Sequence, residues 1–143
     1  MEMDHAVDVP AIPGARELLQ SCPDGSWAVV TSGNRGIATA RMASAGLPQA
    51  SVLVTGEDVT NGKPFPDPYI VAAERLQVLP RHCAVFEDAP AGIASASAAG
   101  VQTIIGVGAN ARTPEVTLVV SDLTGVRFDG HELRIDASTI LDG

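Results

Sequence analysis

The chain has 143 residues, 45% of them apolar, and a formal net charge of −8. This length suits one globular domain, and the excess of 17 Asp and Glu over 9 Lys and Arg argues against nucleic-acid or anionic-membrane surfaces, which need clustered cations. No apolar run approaches the roughly 18 residues that span a bilayer, and residues 1–5 lack the basic and apolar parts of a signal peptide. We therefore expect a cytoplasmic protein with a small-molecule or metal partner.

Helical and apolar segments alternate along the chain. Predicted helices cover 13–20, 36–45, 68–77 and 91–99, and predicted strands cover 27–31, 51–55, 83–86, 103–107 and 118–121. Gly46 and Gly100 follow two of the helices, as expected of C′ glycines. Strands that alternate with helices predict an α/β fold with a parallel sheet and right-handed crossovers. Residues 126–135 predict a hairpin around an Asp129-Gly130 turn.

The first strand ends in hydroxyl groups just before a helix, at Val29-Val-Thr-Ser-Gly-Asn34. Backbone N–H groups at a helix N-terminus, assisted by a Thr hydroxyl, form a site for anions. Thr31, Ser32, Gly33 and Asn34 are therefore candidate phosphate-binding residues. The alternative at this point is an ordinary helix N-cap by Ser, Thr or Asn.

The loop Asn61-Gly-Lys-Pro-Phe-Pro-Asp-Pro68 contains Lys63, which is the only lysine in the sequence. A lysine held between Gly62 and Pro64 in a proline-stiffened loop is well placed to direct a point charge at a phosphate. A solvated loop residue is an equally open interpretation of this position.

Two adjacent acids end a short apolar run at Ala84-Val-Phe-Glu-Asp-Ala-Pro-Ala-Gly-Ile93. Ligands of open α/β sheets bind beyond the carboxyl ends of the strands, so Glu87 and Asp88 are candidate metal ligands. The alternative is that Asp88 caps the following helix while Glu87 is solvated.

Together these segments resemble motifs II, III and IV of the haloacid dehalogenase (HAD) superfamily of phosphohydrolases: a Thr or Ser at a strand end, a lysine in a Gly-Lys-Pro loop and an acidic pair before Gly-Ile. The residues of these motifs look most like those of the fungal glycerol-phosphate and 2-deoxyglucose-6-phosphate phosphatases, and they are close to those of β-phosphoglucomutase. The resemblance runs from about Val9 to the C-terminal hairpin. It implies a three-layer Rossmann-like sheet with helices on both faces, and Mg²⁺-dependent hydrolysis of a small phosphorylated polyol or sugar.

The resemblance also implies a role for each matching residue. The Thr31 hydroxyl and the Ser32 N–H would hold the transferring phosphoryl group, with Asn34 at the mouth of the site. Lys63 would neutralise charge on the phosphate and the nucleophile. Glu87 and Asp88 would bind Mg²⁺ directly or through water, in keeping with the preference of this ion for oxygen ligands.

One family motif has no counterpart in the sequence. HAD enzymes attack phosphate with the first Asp of an Asp-x-Asp-Gly-Thr motif that ends the central first strand. Asp4 and Asp8 flank neither an apolar strand nor Gly-Thr, and Asp129 comes too late in the order. The cap insert that follows this motif in the family is absent too, and residues 1–14 look like the linker returning from it. We therefore expect a truncated chain, a partial core domain over residues 1–143 that is inactive alone.

The missing first strand would have a structural consequence. In the family fold it lies between the strands that end at Thr31 and Glu87, so both would lose a ladder partner. About five buried backbone groups left unsatisfied at ~1–3 kcal/mol each would rival the whole ~5–15 kcal/mol stability of a domain. Either the flanking strands pair directly, or another segment or chain fills the gap. We expect marginal stability or self-association through this gap.

Two other functions compete with the phosphatase. A binding or regulatory module would keep the phosphate cradle and bind Mg²⁺ or phosphate without hydrolysing an aryl phosphate. A dinucleotide-binding domain is suggested by Gly106-Val-Gly-Ala-Asn-Ala111, a G-x-G-x-x-A match. That signal is weak. A dinucleotide-binding motif is followed by a helix and by a strand with an acid roughly 20 residues further on, and no adequate helix and strand of this kind follow here.

Overall fold

The computed structural model describes residues 12–141 of the chain. Its α-helices are α1 (Ala15–Ser21), α2 (Arg35–Ser44), α3 (Asp67–Leu76) and α4 (Pro90–Ala98). Its strands are β1 (Ala28–Val30), β2 (Val52–Val54), β3 (Ala84–Glu87), β4 (Thr103–Val107), β5 (Leu118–Val120), β6 (Val126–Phe128) and β7 (Leu133–Ile135). Of the predicted linker over residues 1–14, residues 1–11 lie outside the described range. No helix within residues 12–141 is long and apolar enough to cross a bilayer.

The elements begin and end within about two residues of the positions predicted from the sequence. Helix α1 begins at Ala15, just after Gly14 at φ 88°. Gly46 and Gly100 have φ values of 70° and 95°, a left-handed conformation that glycine adopts without a Cβ penalty, and they follow α2 and α4 as predicted. Strands β6 and β7 form the predicted antiparallel hairpin, with Asp129 and Gly130 in its loop.

The central strands form two parallel sheets rather than one. Strand β1 pairs with β2 in one sheet, and β3, β4 and β5 pair in that order in the other. Within the described residues the two sheets are not joined by a ladder, so β1 and β3 do not pair directly. This finding excludes the first of the two ways of closing the predicted gap. Self-association across the gap stays a prediction.

Two apolar clusters hold the two sheets in one layer. One cluster packs β1, β2, β3, β4 and β5 against α1 and α2, with contributions from Val29, Leu53, Phe86, Ile105 and Val120 of the strands. The other packs the opposite side of β1 to β4 against α3 and α4, with Ala28, Val30, Val54, Val85 and Ile104. Because side chains of a strand alternate between faces, each of the strands β1 to β4 contributes to both clusters. The result is the predicted three-layer α/β arrangement, with helices on both faces of parallel strands.

Candidate active site

The segments that the sequence singles out meet at the carboxyl ends of the strands. Thr31 directly follows β1, and its N–H donates to the carbonyl of Val54, the last residue of β2, at 2.9 Å. Lys63 lies in the connection from β2 to α3, and its Nζ lies 3.1 Å from Oε2 of Glu87, the last residue of β3. This ion pair therefore bridges the two sheets at the edge where parallel α/β folds bind ligands.

The Glu87 carboxylate is fully buried and accepts hydrogen bonds on both of its oxygens. Oε2 accepts from the Lys63 ammonium at 3.1 Å and from the Tyr69 hydroxyl at 2.9 Å. Oε1 accepts from the backbone N–H groups of Asp88 at 3.1 Å and Ala89 at 3.2 Å. The side chains of Glu87 and Lys63 are 0% and 3% exposed. A charge at this depth is tolerated because it is both paired and hydrogen-bonded.

Helix α4 makes room for this carboxylate through a glycine. A Cβ on Gly92 would overlap the Glu87 carboxyl group, so the first turns of α4 can approach β3 this closely only with glycine there. One turn later, the buried Ser95 hydroxyl donates to the Phe65 carbonyl at 2.5 Å. Helix α4 thus fixes both the acid and the loop that carries its lysine partner.

The loop before α3 aims Lys63 at the site. Within the loop, the Phe65 N–H donates to the Gly62 carbonyl at 2.9 Å, and the Asn61 N–H donates to Oδ2 of Asp67 at 3.3 Å. Tyr69, in the first turn of α3, places its ring centroid 5.6 Å from the Lys63 Nζ, within the range of a cation–π contact. The ammonium is therefore held by a carboxylate and an aromatic ring on buried elements.

The loop after β1 joins a buried hydroxyl to an exposed helix N-terminus. Thr31 is 4% exposed, whereas Ser32, Gly33 and Asn34 are exposed. The Thr31 Oγ1 accepts from the Gly33 N–H at 3.2 Å, and Asn34 caps α2 by accepting from the Ile37 N–H at 2.8 Å. The N-cap interpretation is thus correct for the Asn34 oxygen. The start of this ten-residue helix is exposed, but its first N–H group, that of Arg35, already donates to Oε1 of Glu57 at 2.9 Å.

A second acidic cluster supports this loop from β2. The Gly56 N–H donates to the Gly33 carbonyl at 3.1 Å. Asp58 accepts from the Thr55 N–H at 2.7 Å and forms ion pairs with Arg35 at 3.0 Å and Arg75 at 3.6 Å. Burial alone would raise the pKa of Asp58, but the Thr55 hydrogen bonds and the two guanidinium charges outweigh it and hold the pKa below its usual value.

Asp88 is half-buried at the end of β3. The N-cap of α4 is Ala89, which has no side-chain cap, so the alternative that Asp88 occupies the cap position is wrong. Within residues 12–141 no three His, Cys, Asp or Glu side chains cluster in a way that could hold a metal ion. Mg²⁺ commonly uses one or two carboxylates together with water and phosphate oxygens, so a small donor set still suits it.

Three residues of this site escaped the sequence analysis. Tyr69 and Gly92 contact the Glu87 carboxylate, and Ser95 anchors the lysine loop. Each had a signal in the sequence: Tyr69 is the only tyrosine, Gly92 lies inside an Ala-rich helix where glycine is unfavourable, and Ser95 lies on the buried side of that helix.

Comparison with known proteins identifies the family. The sequence model of one protein family, the haloacid dehalogenase-like hydrolases, matches residues 5–100 of the chain. The chain belongs to this family. It is 44% identical over 128 residues to hexitol phosphatase A of Escherichia coli, a match that covers 86% of this chain and 59% of that protein. It is 32% identical over 145 residues to glycerol-1-phosphate phosphohydrolase 2 of Saccharomyces cerevisiae, covering 93% of this chain and 58% of that protein.

Solved structures agree with this assignment of family and fold. The β-phosphoglucomutase of Clostridium difficile superposes with a TM-score of 0.65 at 25% identity, covering 84% of this chain and 53% of that one. The family and the α/β fold predicted from the sequence are confirmed. The HAD-like chain spans less than two thirds of the length of these relatives.

Proposed function

We propose that the described residues form the phosphate-binding and metal-binding part of a Mg²⁺-dependent phosphatase for small phosphorylated polyols or sugars. The buried Lys63–Glu87 pair carries this proposal, because it fixes one positive charge at the carboxyl edge of the strands, the edge at which Thr31 follows β1. The names of the relatives support the substrate class, since they include phosphatases of hexitol phosphate, glycerol 1-phosphate and 2-deoxyglucose 6-phosphate.

In this proposal each group of the site has one task. The Thr31 hydroxyl and the Ser32 N–H orient the phosphoryl oxygens, with Gly33 and Asn34 shaping the loop. Lys63 balances negative charge, and its bond to Glu87 holds the ammonium in place. Asp88 would hold Mg²⁺, which when bound supplies further charge stabilisation at the phosphoryl group. Glu87 acts mainly by keeping Lys63 in place.

Phosphate binding tests the proposal. Inorganic phosphate, titrated with and without Mg²⁺ and followed by ³¹P NMR, is expected to bind the chain. Lys63→Met removes a charged donor and should raise the dissociation constant by about 10-fold or more. Asp88→Asn should abolish the Mg²⁺ dependence, whereas the matched control Asp24→Asn, in an exposed turn, should leave both unchanged. Equal phosphate affinity in Lys63→Met and the unaltered chain would contradict the proposal.

A second candidate function is a phosphate- or metal-binding module without catalysis. The observation that favours it is the lack of an Asp-x-Asp-Gly-Thr segment anywhere in the sequence. For this reason we expect the 143-residue chain to bind phosphate but not to hydrolyse an aryl phosphate. Mg²⁺-dependent turnover that disappears in Asp88→Ala would rule out the module. An in-frame Asp-x-Asp-Gly-Thr upstream of the Met1 codon would instead favour the enzyme.

A further inference from the structure

We propose that Tyr69 is a positioning residue that sets the place of the Lys63 ammonium through Glu87. This inference rests on the proposed function, because it assigns the phosphate affinity of that site partly to a phenol that acts through another side chain. The structure places the Tyr69 hydroxyl on the same carboxylate oxygen that holds the lysine.

The shared oxygen couples the two side chains. Glu87 Oε2 accepts from the Tyr69 hydroxyl at 2.9 Å and from Lys63 at 3.1 Å. Two donors on one oxygen fix its direction, whereas a single flexible lysine would follow the carboxylate through a range of rotamers. The Tyr69 ring, 5.6 Å from the ammonium, limits the space on another side of it.

The phenol can act as a fixed reference because its own backbone is held. Tyr69 is 4% exposed and follows Pro68, and its N–H donates to the Pro66 carbonyl at 3.2 Å. A proline has a fixed φ, which limits the positions available to the start of α3. On the opposite side, Gly92 lets α4 press against the Glu87 carboxyl group. The carboxylate therefore lies between two helices: backbone N–H groups hold its Oε1, and the Tyr69 hydroxyl sets the position of its Oε2 beside Lys63.

Tyr69→Phe isolates the hydroxyl from the rest of this arrangement. The variant keeps the ring, its burial and its contact with the ammonium, but removes one donor from Oε2. We expect Oε2 to lose its fixed position and Lys63 to sample several rotamers, while the Asp88 and Ala89 N–H groups still hold Oε1. Loss of one hydrogen bond of this kind corresponds to an about 3- to 10-fold rise in the phosphate dissociation constant.

The composition of the chain gives a direct readout. Lys63 is the only lysine and Tyr69 the only tyrosine, so lysine labelled at Cε and tyrosine labelled at Cζ each give one NMR signal. In the unaltered chain, we expect the two ε protons of Lys63 to differ in chemical shift because the side chain is fixed. In Tyr69→Phe they should become equivalent. The control Ser26→Ala, which removes a hydroxyl bound to the Pro23 carbonyl before β1, should keep them distinct.

The outcomes separate this inference from the proposed function. If the unaltered chain binds no phosphate, the proposed function is wrong, and the ε-proton signals still decide whether Tyr69 positions Lys63. If Tyr69→Phe lowers only the stability and leaves the Lys63 signals and phosphate affinity unchanged, the positioning role is overturned. If Tyr69→Phe does not fold, phosphate titration of the unaltered chain replaces it. The Lys63 and Tyr69 NMR signals should then shift along one binding curve. A Tyr69 signal that does not move would overturn the inference.

Discussion

Two acidic side chains at the carboxyl edge of the strands bind cationic partners in very different surroundings. Glu87 is 0% exposed and its partner Lys63 is 3% exposed. Asp58 is 19% exposed, and its partners Arg35 and Arg75 are 50% and 42% exposed. The distances are similar, at 3.1 Å for Lys63 and 3.0 Å for Arg35, so the burial of the partners is what separates the two clusters.

This difference assigns the two clusters different tasks. A buried ion pair contributes little net stability when intact but is costly to break, because removal of one member leaves a charge without water. An exposed pair is screened and contributes at most about 1 kcal/mol. The Glu87 cluster therefore specifies one arrangement of the site, whereas the Asp58 cluster tunes the loop that supports Thr31.

The largest expected effect follows from breaking the buried pair. Glu87→Ala leaves the Lys63 ammonium buried without its carboxylate and should lower the free energy of unfolding by roughly 3–5 kcal/mol. Urea denaturation followed by the fluorescence of the single, buried Trp27 measures this change. The double variant Lys63→Met/Glu87→Ala should recover part of the loss. A cost of under about 1 kcal/mol for Glu87→Ala would show that burial does not distinguish the two clusters.

Gly92→Ala tests the space that the buried cluster requires. The added methyl group would overlap the Glu87 carboxyl group, so α4 must shift or the acid must leave its hydrogen-bond donors. Overpacking of this kind costs about 1–3 kcal/mol, and more where a polar group is displaced. Gly36→Ala is the matched control, since a Cβ there would meet its nearest neighbour at an ordinary 3.6 Å and alanine favours a helix. Similar unfolding free energies for the two variants would contradict the close contact.

The exposed cluster should show a smaller effect that depends on pH. Asp58→Ala removes the acceptor of the Thr55 N–H, a loss of about 1 kcal/mol at pH 7. Because the folded pKa of Asp58 is lowered, its contribution is present above the unfolded pKa of about 4 and is lost as the pH falls through the folded value. The difference in unfolding free energy between the unaltered chain and Asp58→Ala should therefore be constant from pH 7 to about 5 and shrink below about pH 4. A difference that grows on acidification would have the wrong sign for this cluster.

Local signals in the sequence predicted the fold and several residues of the candidate site. The apolar strands, the C′ glycines and the hairpin depend on neighbours within a few residues, and they formed as expected. The side-chain contacts of the site join residues that lie far apart along the chain: Tyr69 is 18 positions from Glu87, and Ser95 is 30 positions from Phe65. No periodic pattern encodes such pairs, because they arise only when helices pack on the sheet.

The two adjacent acids show where sequence reasoning stopped. Glu87 and Asp88 looked equivalent as metal ligands, but Glu87 is the last residue of β3, whereas Asp88 lies outside the strand. Val85 packs on the side of α3 and α4, so Glu87, two residues later, lies on that same side and reaches Tyr69 and Lys63. Alternation could have predicted the side that Glu87 faces, but not the residues that meet it there.

The smallest expected effect extends the comparison to full exposure. Arg134 and Glu132 lie 3.4 Å apart in the C-terminal hairpin and are 71% and 65% exposed. Glu132→Gln should change the free energy of unfolding by less than about 0.5 kcal/mol, because solvent and salt screen the pair. Measured beside Glu87→Ala and Asp58→Ala under the same conditions, it completes a series in which the cost of removing an acid falls as its exposure rises. A loss above 1 kcal/mol at Glu132 would break that order. The difference in cost between removing Glu87 and removing Asp58 would then need a cause other than burial. The number of hydrogen bonds on each carboxylate would be the next quantity to compare.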